Sequence, residues 1–330
     1  MKILVTGGLG LIGHNVVSRL EKLNHDVIIA DTKTNYGIVP QSEIDYLISE
    51  RLKKISSTNI HRIDISDFTN IDWLITKHKP TIIIHAASFP RQKVVNANPQ
   101  IASRVMSEGL LNLLESSVKN NVEKFIYISS SMVYGDFDNF VTEDAICKPQ
   151  GQYGIMKLAG EWLVRDYTRK YNLAHTILRP SAVYGPLDVE DRVISKFLLT
   201  AMRNQTLKVN GANEILDFTY VDDAANGVVA SALSNNTNNK TYNITKSHST
   251  TLLTAAELAI QFANSGTIEV RDKDIDFPSR GALNIDAARK DFAFDPKVDV
   301  TEGFEQYYNW LKQDSYFNNK YMYVDPSSIT

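Results

Sequence analysis

A short apolar strand running straight into Gly7-Gly8-Leu9-Gly10-Leu11-Ile12-Gly13 constrains this chain more than any other feature. Lys2 to Thr6 reads as a buried strand, and Val16, Val17, Leu20 and Leu23 recur at helical spacing over Asn15 to Leu23. Between them Gly7, Gly10 and Gly13 have the spacing G-x-x-G-x-x-G. Glycines allow a tight turn and close approach of backbone to a pyrophosphate. The first helical residues, Leu11 and Ile12 among them, then offer free N–H groups and the positive end of the helix dipole. A second strand, Asp26 to Ala30, ends in Asp31, at the distance where a carboxylate accepts a ribose 2′-hydroxyl. That carboxylate would repel a 2′-phosphate, so NAD is expected over NADP. Lys33 blunts this preference slightly.

The chain alternates strands and helices for its first half. Ile60 to Ile65, Thr81 to Ala87, Phe125 to Ser129 and Ala174 to Leu178 read as strands, and Phe68 to His78, Ile101 to Asn120 and Tyr153 to Tyr171 as helices. Alternation of this kind gives an α/β fold: a Rossmann-type, doubly wound parallel sheet whose ligands sit at the carboxyl ends of the strands. Gly7, Asp31, Asp64, Ala86 and Ser130 all fall at such ends. After Pro180 the pattern loosens, with helices expected over Ser195 to Met202, Asp222 to Leu233, Thr250 to Phe262 and Thr301 to Lys312. This predicts an NAD-binding domain over 1–180, with a return segment near 217–245, and a smaller, partly interleaved α/β substrate domain over 181–330. Beyond Asp314 a polar, aromatic tail is expected to be loosely held.

Composition fits a globular enzyme, with 43% hydrophobic and 22% charged residues. A net charge of -3 argues against nucleic acid or an anionic membrane surface as partner. One cysteine, Cys147, excludes an internal disulfide framework and fits a reducing, cytoplasmic compartment. The N-terminal apolar run is too short for a signal peptide, and no segment reaches membrane-spanning length. The seven histidines form no metal-binding spacing, so no metal is expected.

Two further pieces carry chemistry. Ser129-Ser130-Ser131-Met132-Val133-Tyr134-Gly135 ends an apolar strand, and Tyr153 and Lys157 stand four residues apart on the next helix, on one face. A free tyrosine has a pKa near 10 and is a poor base at neutral pH. A neighbouring ammonium and a positively charged nicotinamide favour its phenolate, and a drop of roughly three units needs about 4 kcal/mol.

With these pieces in place the chain resembles an extended short-chain dehydrogenase/reductase, within which it is similar to the nucleotide-sugar epimerases and dehydratases, UDP-glucose 4-epimerase among them. The likeness runs over nearly the whole length. It rests on Gly7, Gly10 and Gly13, Asp64-Ile65, His85-Ala86-Ala87, Ser130 to Gly135, Tyr153 to Lys157, Arg179 to Pro186 and Asp217 to Asp223. The resemblance implies Ser130, Tyr153 and Lys157 as catalytic residues. It implies cofactor contacts from Asp64, Ile65, Ala86, Ala87, Tyr153 and Lys157 besides the glycine loop and Asp31, and substrate contacts from Ser88, Ser131, Met132 and Ser181.

Departures from the family pattern fall on the substrate side. An asparagine usual in R-P-x-N-V-Y-G-P is Ala182, an arginine usual before D-F-x-Y-V-D-D is Leu216, and another usual asparagine is Met106. Arg192 and Arg280 are candidates to replace the lost diphosphate contacts, the alternative being that both are solvated surface residues. Related dehydratases follow their hydroxyl residue with an Asp-Glu pair. Ser131 and Met132 stand here, and neither moves a proton in that way. Elimination is therefore disfavoured, and reversible oxidation at C4 of a nucleotide sugar is expected. A net dehydrogenase or reductase, inversion at another carbon and a non-catalytic NAD-binding regulator are the alternatives. The resemblance further implies a homodimer formed by the helices of Ile101 to Asn120 and Tyr153 to Tyr171, whose Leu110, Leu111, Leu113 and Leu114 and Leu158, Trp162 and Leu163 make wide apolar stripes.

Overall fold

The computed structural model describes residues 1–322 apart from Ile38 and Asp276. Its centre is one parallel sheet of seven strands: β1 (Lys2–Thr6), β2 (Asp26–Asp31), β3 (Ile60–Arg62), β4 (Ile82–His85), β5 (Lys124–Ile128), β6 (Ala174–Arg179) and β7 (Lys240–Asn243). In space the order is β7-β6-β5-β4-β1-β2-β3. The chain builds outward from β1 in one direction, then returns to its other side at β4. The two directions part between β1 and β4, where open α/β sheets place their ligands. Helices cover both faces, so the inner strands are buried on both: Ile3 and Val5 enter one core with Val17 and Leu20, and Leu4 enters the other with Leu74 and Leu113. Each fully buried Leu or Ile contributes about 1.5–3 kcal/mol.

A second core gathers around Leu198, Leu207, Val209, Phe304, Tyr307 and Leu311. It is enclosed by the helices Val193–Met202, Leu252–Ala263 and Val300–Gln313. Thr206–Asn210 and Thr267–Arg271 pair in parallel beside it. No helix among the described residues is long and apolar enough to cross a membrane.

Several expectations are corrected. The strand expected over Ile60 to Ile65 stops at Arg62, and Asp64 lies in the turn beyond it. The helix expected over Ile101 to Asn120 is Pro99–Ser103 and Gly109–Lys119 joined by a π-helical turn, Arg104–Glu108, that buries Met106. Leu110, Leu113 and Leu114 are fully buried against the sheet, so of that stripe Leu111 alone reaches the surface. The chain after Asp314 is held as far as it is described. Ser315–Met322 is helical, Phe317 is buried in the second core, and Tyr316 stacks on Tyr46 with ring centroids 4.5 Å apart. The expectation for the residues after 322 lies outside the described residues. Among the elements with no sequence signal are β7 and the helix Gln41–Leu52.

Candidate active site

The glycine loop lies at the switch between β1 and β4. Gly7 has φ +67°, and a Cβ there would lie 2.6 Å from the Ala87 nitrogen. A Cβ at Gly13 would stand 2.0 Å from the Gly7 carbonyl oxygen. Both positions exclude a side chain by contact. At Gly7 the absence of a Cβ lets the chain leaving β1 lie against Ala86 and Ala87, just beyond β4. The helix Leu11–Lys22 starts from Gly10, which uses no side-chain cap, so its first N–H groups remain available to an anion. Among the described residues this set fits a dinucleotide: a cradle that only glycine can line, opening on a bare helix N-terminus.

Asp31 closes β2 beside the loop. One carboxylate oxygen accepts from the Leu9 N–H at 2.9 Å and the other from the Lys33 N–H at 2.8 Å. These bonds aim the carboxylate and leave lone pairs for a ribose. Asp64 is exposed and accepts from the Ser66 N–H, while Ile65 is buried beneath it against Gly109. Tyr36, which no sequence motif flagged, packs on Phe89 at 4.4 Å. Its phenol is pushed up to about 12 by burial and by the charges of Asp31 and Asp64, which places it between the two carboxylates.

The three serines after β5 face three ways. Ser129 donates to the buried Glu161 carboxylate at 2.6 Å. Ser131 meets Ser181 at 3.1 Å. The Ser130 hydroxyl lies near enough to the Tyr153 phenol to lower its pKa, and it accepts from the Met132 N–H. Lys157 is buried below, donating to the Ile128 carbonyl at 2.7 Å, with its Nζ 5.9 Å from the Tyr153 ring centre. Burial lowers its pKa to about 7 against the smaller opposing effect of Glu161. Burial raises the Tyr153 pKa, and Arg192 and Ser130 pull it back. The depression expected of Tyr153 is thus not reached by the protein's own groups. His85 bonds Thr6 Oγ1 at 2.8 Å and is held neutral, near 3, by burial and by Lys157.

A buried ion pair anchors this layer. Arg179 grips both oxygens of Glu161 at 2.8 and 2.7 Å and also donates to the Tyr134 hydroxyl. Arg179 was matched to a motif but given no role from sequence. Only the fold shows that Glu161 supplies the anion that offsets burial of this cation.

On the facing side the substrate candidates part company. Met132 is buried and apolar, Ser181 is buried on Ser131, and Ser88 is half-buried with its hydroxyl on the Phe89 carbonyl. Arg192 lies 3.6 Å from Asp188 and close enough to Tyr153 to lower its pKa. Arg280 has its Nε buried with no hydrogen bond among the described residues. Burial and then the charge of Arg192 bring Arg280 down to about 10. Neither arginine is a solvated surface residue: both are half-buried, and they repel one another. Leu216 packs into the second core, and Ala182 sits at φ +37°, in the left-handed region.

The comparisons agree with this geometry. Protein CapI of Staphylococcus aureus is 32% identical over 235 residues, 69% of this chain and 68% of that protein. A putative UDP-glucose 4-epimerase of Methanocaldococcus jannaschii is 29% identical over 95% of this chain and 99% of its own length. A UDP-glucuronic acid 4-epimerase from Bacillus cereus, solved with UDP-glucuronic acid and NAD, superposes with a TM-score of 0.87 at 26% identity, covering 95% of this chain and 99% of that one. Residues 3–245 match the NAD dependent epimerase/dehydratase family, and the chain belongs to that family.

Proposed function

We propose that this chain is an NAD-dependent nucleotide-sugar epimerase that inverts C4 through a transient 4-keto sugar. The observation that carries the reading is the placement of Ser130 beside the Tyr153 phenol, above a buried Lys157, at the strand ends that also hold the glycine loop. Gly7, Gly10, Leu11, Ile12 and Gly13 would receive the pyrophosphate, Asp31 the adenosine ribose, and Asp64, Ile65, Ala86 and Ala87 the rest of the cofactor's length. When bound, NAD supplies the hydride acceptor and donor and one more positive charge. Tyr153, as phenolate, takes the proton of the C4 hydroxyl. Ser130 bridges phenol and sugar by hydrogen bonds, and Lys157 steadies the phenolate and the nicotinamide ribose. Returning the proton from Tyr153 completes the inversion, and binding must let the keto sugar present either face.

Met132 and Ser131 leave no acid and base for elimination, which favours epimerisation over dehydration. Arg192 and Arg280 are assigned to the nucleotide diphosphate: two facing cations in a half-buried cleft are relieved by a dianion. The division into an NAD-binding domain over 1–180 with a return segment near 217–245, and a substrate domain over 181–330, belongs to this reading. So does a homodimer through exposed Leu111, Ile155 and Trp162, and a cytoplasmic location.

The test is to incubate the protein with a panel of UDP-sugars, without added cofactor, and follow the sugars by NMR. Appearance of the C4 epimer without net NADH is expected. Stoichiometric NADH with a keto or acid product would replace the epimerase by a dehydrogenase.

A further inference from the structure

The helix Gln41–Leu52 carries no catalytic motif, yet it touches both halves of the site. It is inserted between β2 and β3 of the central sheet, but its Leu47 is fully buried in the second core. One helical face presents Glu43, Leu47 and Arg51, at i, i+4 and i+8, and all three are buried. Glu43 and Arg51 are charged groups placed in the interior, where burial is costly unless their bonds are used.

Their bonds go to two loops. Arg51 Nη1 donates to the Leu9 carbonyl at 2.9 Å, and Nη2 to the Leu187 carbonyl at 2.6 Å. Glu43 Oε1 accepts from the Glu190 N–H at 2.8 Å. Among the described residues no carboxylate lies within ion-pair distance of Arg51, and its Nε is buried without a partner. The guanidinium is therefore spent on two backbone carbonyls far apart in sequence. Leu9 belongs to the glycine loop, and its N–H is held by Asp31. The two backbone groups of Leu9 are thus both held, its N–H by the carboxylate assigned to the ribose and its carbonyl by Arg51.

Leu187 begins the loop that ends at Arg192. It is a non-glycine residue at φ +68°, an unfavourable conformation that its two ties hold: a fully buried side chain and the Arg51 bond. Asp188 follows, buried and 3.6 Å from Arg192. The charge of Arg192 in turn acts on Tyr153 and Arg280. A continuous set of contacts runs from Asp31 through Leu9, Arg51, Leu187 and Asp188 to Arg192.

We propose that Arg51 is a positioning residue that ties the glycine loop to the loop of Arg192, so that dinucleotide and nucleotide diphosphate bind interdependently. This rests on the function proposed above, with Arg192 on the substrate side. Linkage requires the coupling to be reciprocal.

The experiment is calorimetry with UDP as the probe of the diphosphate site and NAD as the second ligand, each titrated with and without the other, in the intact chain and in Arg51→Met and Arg51→Lys. In the unmodified protein each ligand is expected to tighten the other about 5-fold or more. In Arg51→Met both affinities fall and the coupling drops toward one. Arg51→Lys, which keeps the charge and can reach one carbonyl, recovers part of the single-ligand affinity but not the coupling. A residue that only stabilises the fold would lower the melting temperature and leave the coupling ratio unchanged. An unchanged ratio in folded Arg51→Met, or in Arg51→Lys if Arg51→Met does not fold, overturns the proposal. So does a ratio of one in the unmodified protein, with UDP binding leaving the epimerase reading intact. Absence of any UDP binding sinks that reading, and this inference with it.

Discussion

The glycine cradle and the substrate cleft share one row of strand ends, but they are made of different material. The cradle is mostly backbone: glycines that exclude Cβ atoms, a bare helix start, and a carboxylate aimed by two N–H groups. The proposed substrate side is mostly side chains brought from distant places, with Arg192 close enough to Arg280 to lower its pKa. Backbone recognition demands particular residues at fixed spacing, so it persists as a motif. Side-chain recognition demands only that some charge arrive in the right place, so it can move from Leu216 or Ala182 to other positions without disturbing the fold.

The sharpest test of that division lies between the two. Tyr153→Phe should reduce kcat by about 10³-fold or more, the upper part of the range for a lost general base. NAD retention should be unchanged, since the cradle is independent of the phenol. Steady-state kinetics and the cofactor absorbance of the purified variant decide it. Loss of NAD along with turnover would show that the Tyr153 hydroxyl also holds the cofactor.

A pH measurement tests the buried Lys157 beneath the cradle. Lys157 has an ordinary value of 10.5 and a folded value of about 7, lowered by burial. Between those values the unfolded chain holds a proton that the folded chain has released. Stability should therefore rise with pH across that window, by on the order of 4 kcal/mol from this group. Urea unfolding of cofactor-free protein at several pH values should show the slope, and Lys157→Met should lose it. An equal slope in the variant would mean that Lys157 is not the group responsible.

On the cleft side, Arg280→Met should raise KM for a UDP-sugar about 10- to 100-fold, the worth of hydrogen bonds from a charged donor, while NAD affinity stays put. A KM within twofold of the parent would remove Arg280 from the diphosphate site. The smallest effect is local. Ala182 sits at φ +37°, so Ala182→Gly should relieve strain and give a net gain of about 0.5–1 kcal/mol after the added chain entropy of glycine. An unfolding midpoint that falls instead would mean that the Ala182 methyl contributes more than its backbone costs.

The same contrast explains what could be read from sequence. Gly7, Gly13 and Asp31 were legible because backbone geometry leaves few alternatives. Ser130 was legible by its spacing from Val133 and Tyr134, although only the fold shows where the hydroxyls of Ser129 and Ser131 go. The helix Gln41–Leu52 was not legible, because its buried face reads Glu, Leu, Arg and mimics a polar surface. β7, Lys-Thr-Tyr-Asn, has no apolar run, since an edge strand needs few apolar residues. Arg192 and Arg280 were visible as candidates, but their mutual repulsion is a property of space alone. Phe317 gave no periodic signal, because a short aromatic segment that docks by one ring has no repeat to detect.

The position of β7 at the sheet edge also bears on synthesis. β6 pairs with β5 on one side and with β7 on the other, in register from Thr176 with Lys240 to Arg179 with Asn243. Residues 180–239, which include much of the second core, must therefore leave the ribosome before the first sheet can be closed. Until then β6 presents an open row of N–H and C=O groups, the kind of edge on which chains aggregate. A nascent chain of this sequence cannot complete the central sheet before residues 180–239 have emerged.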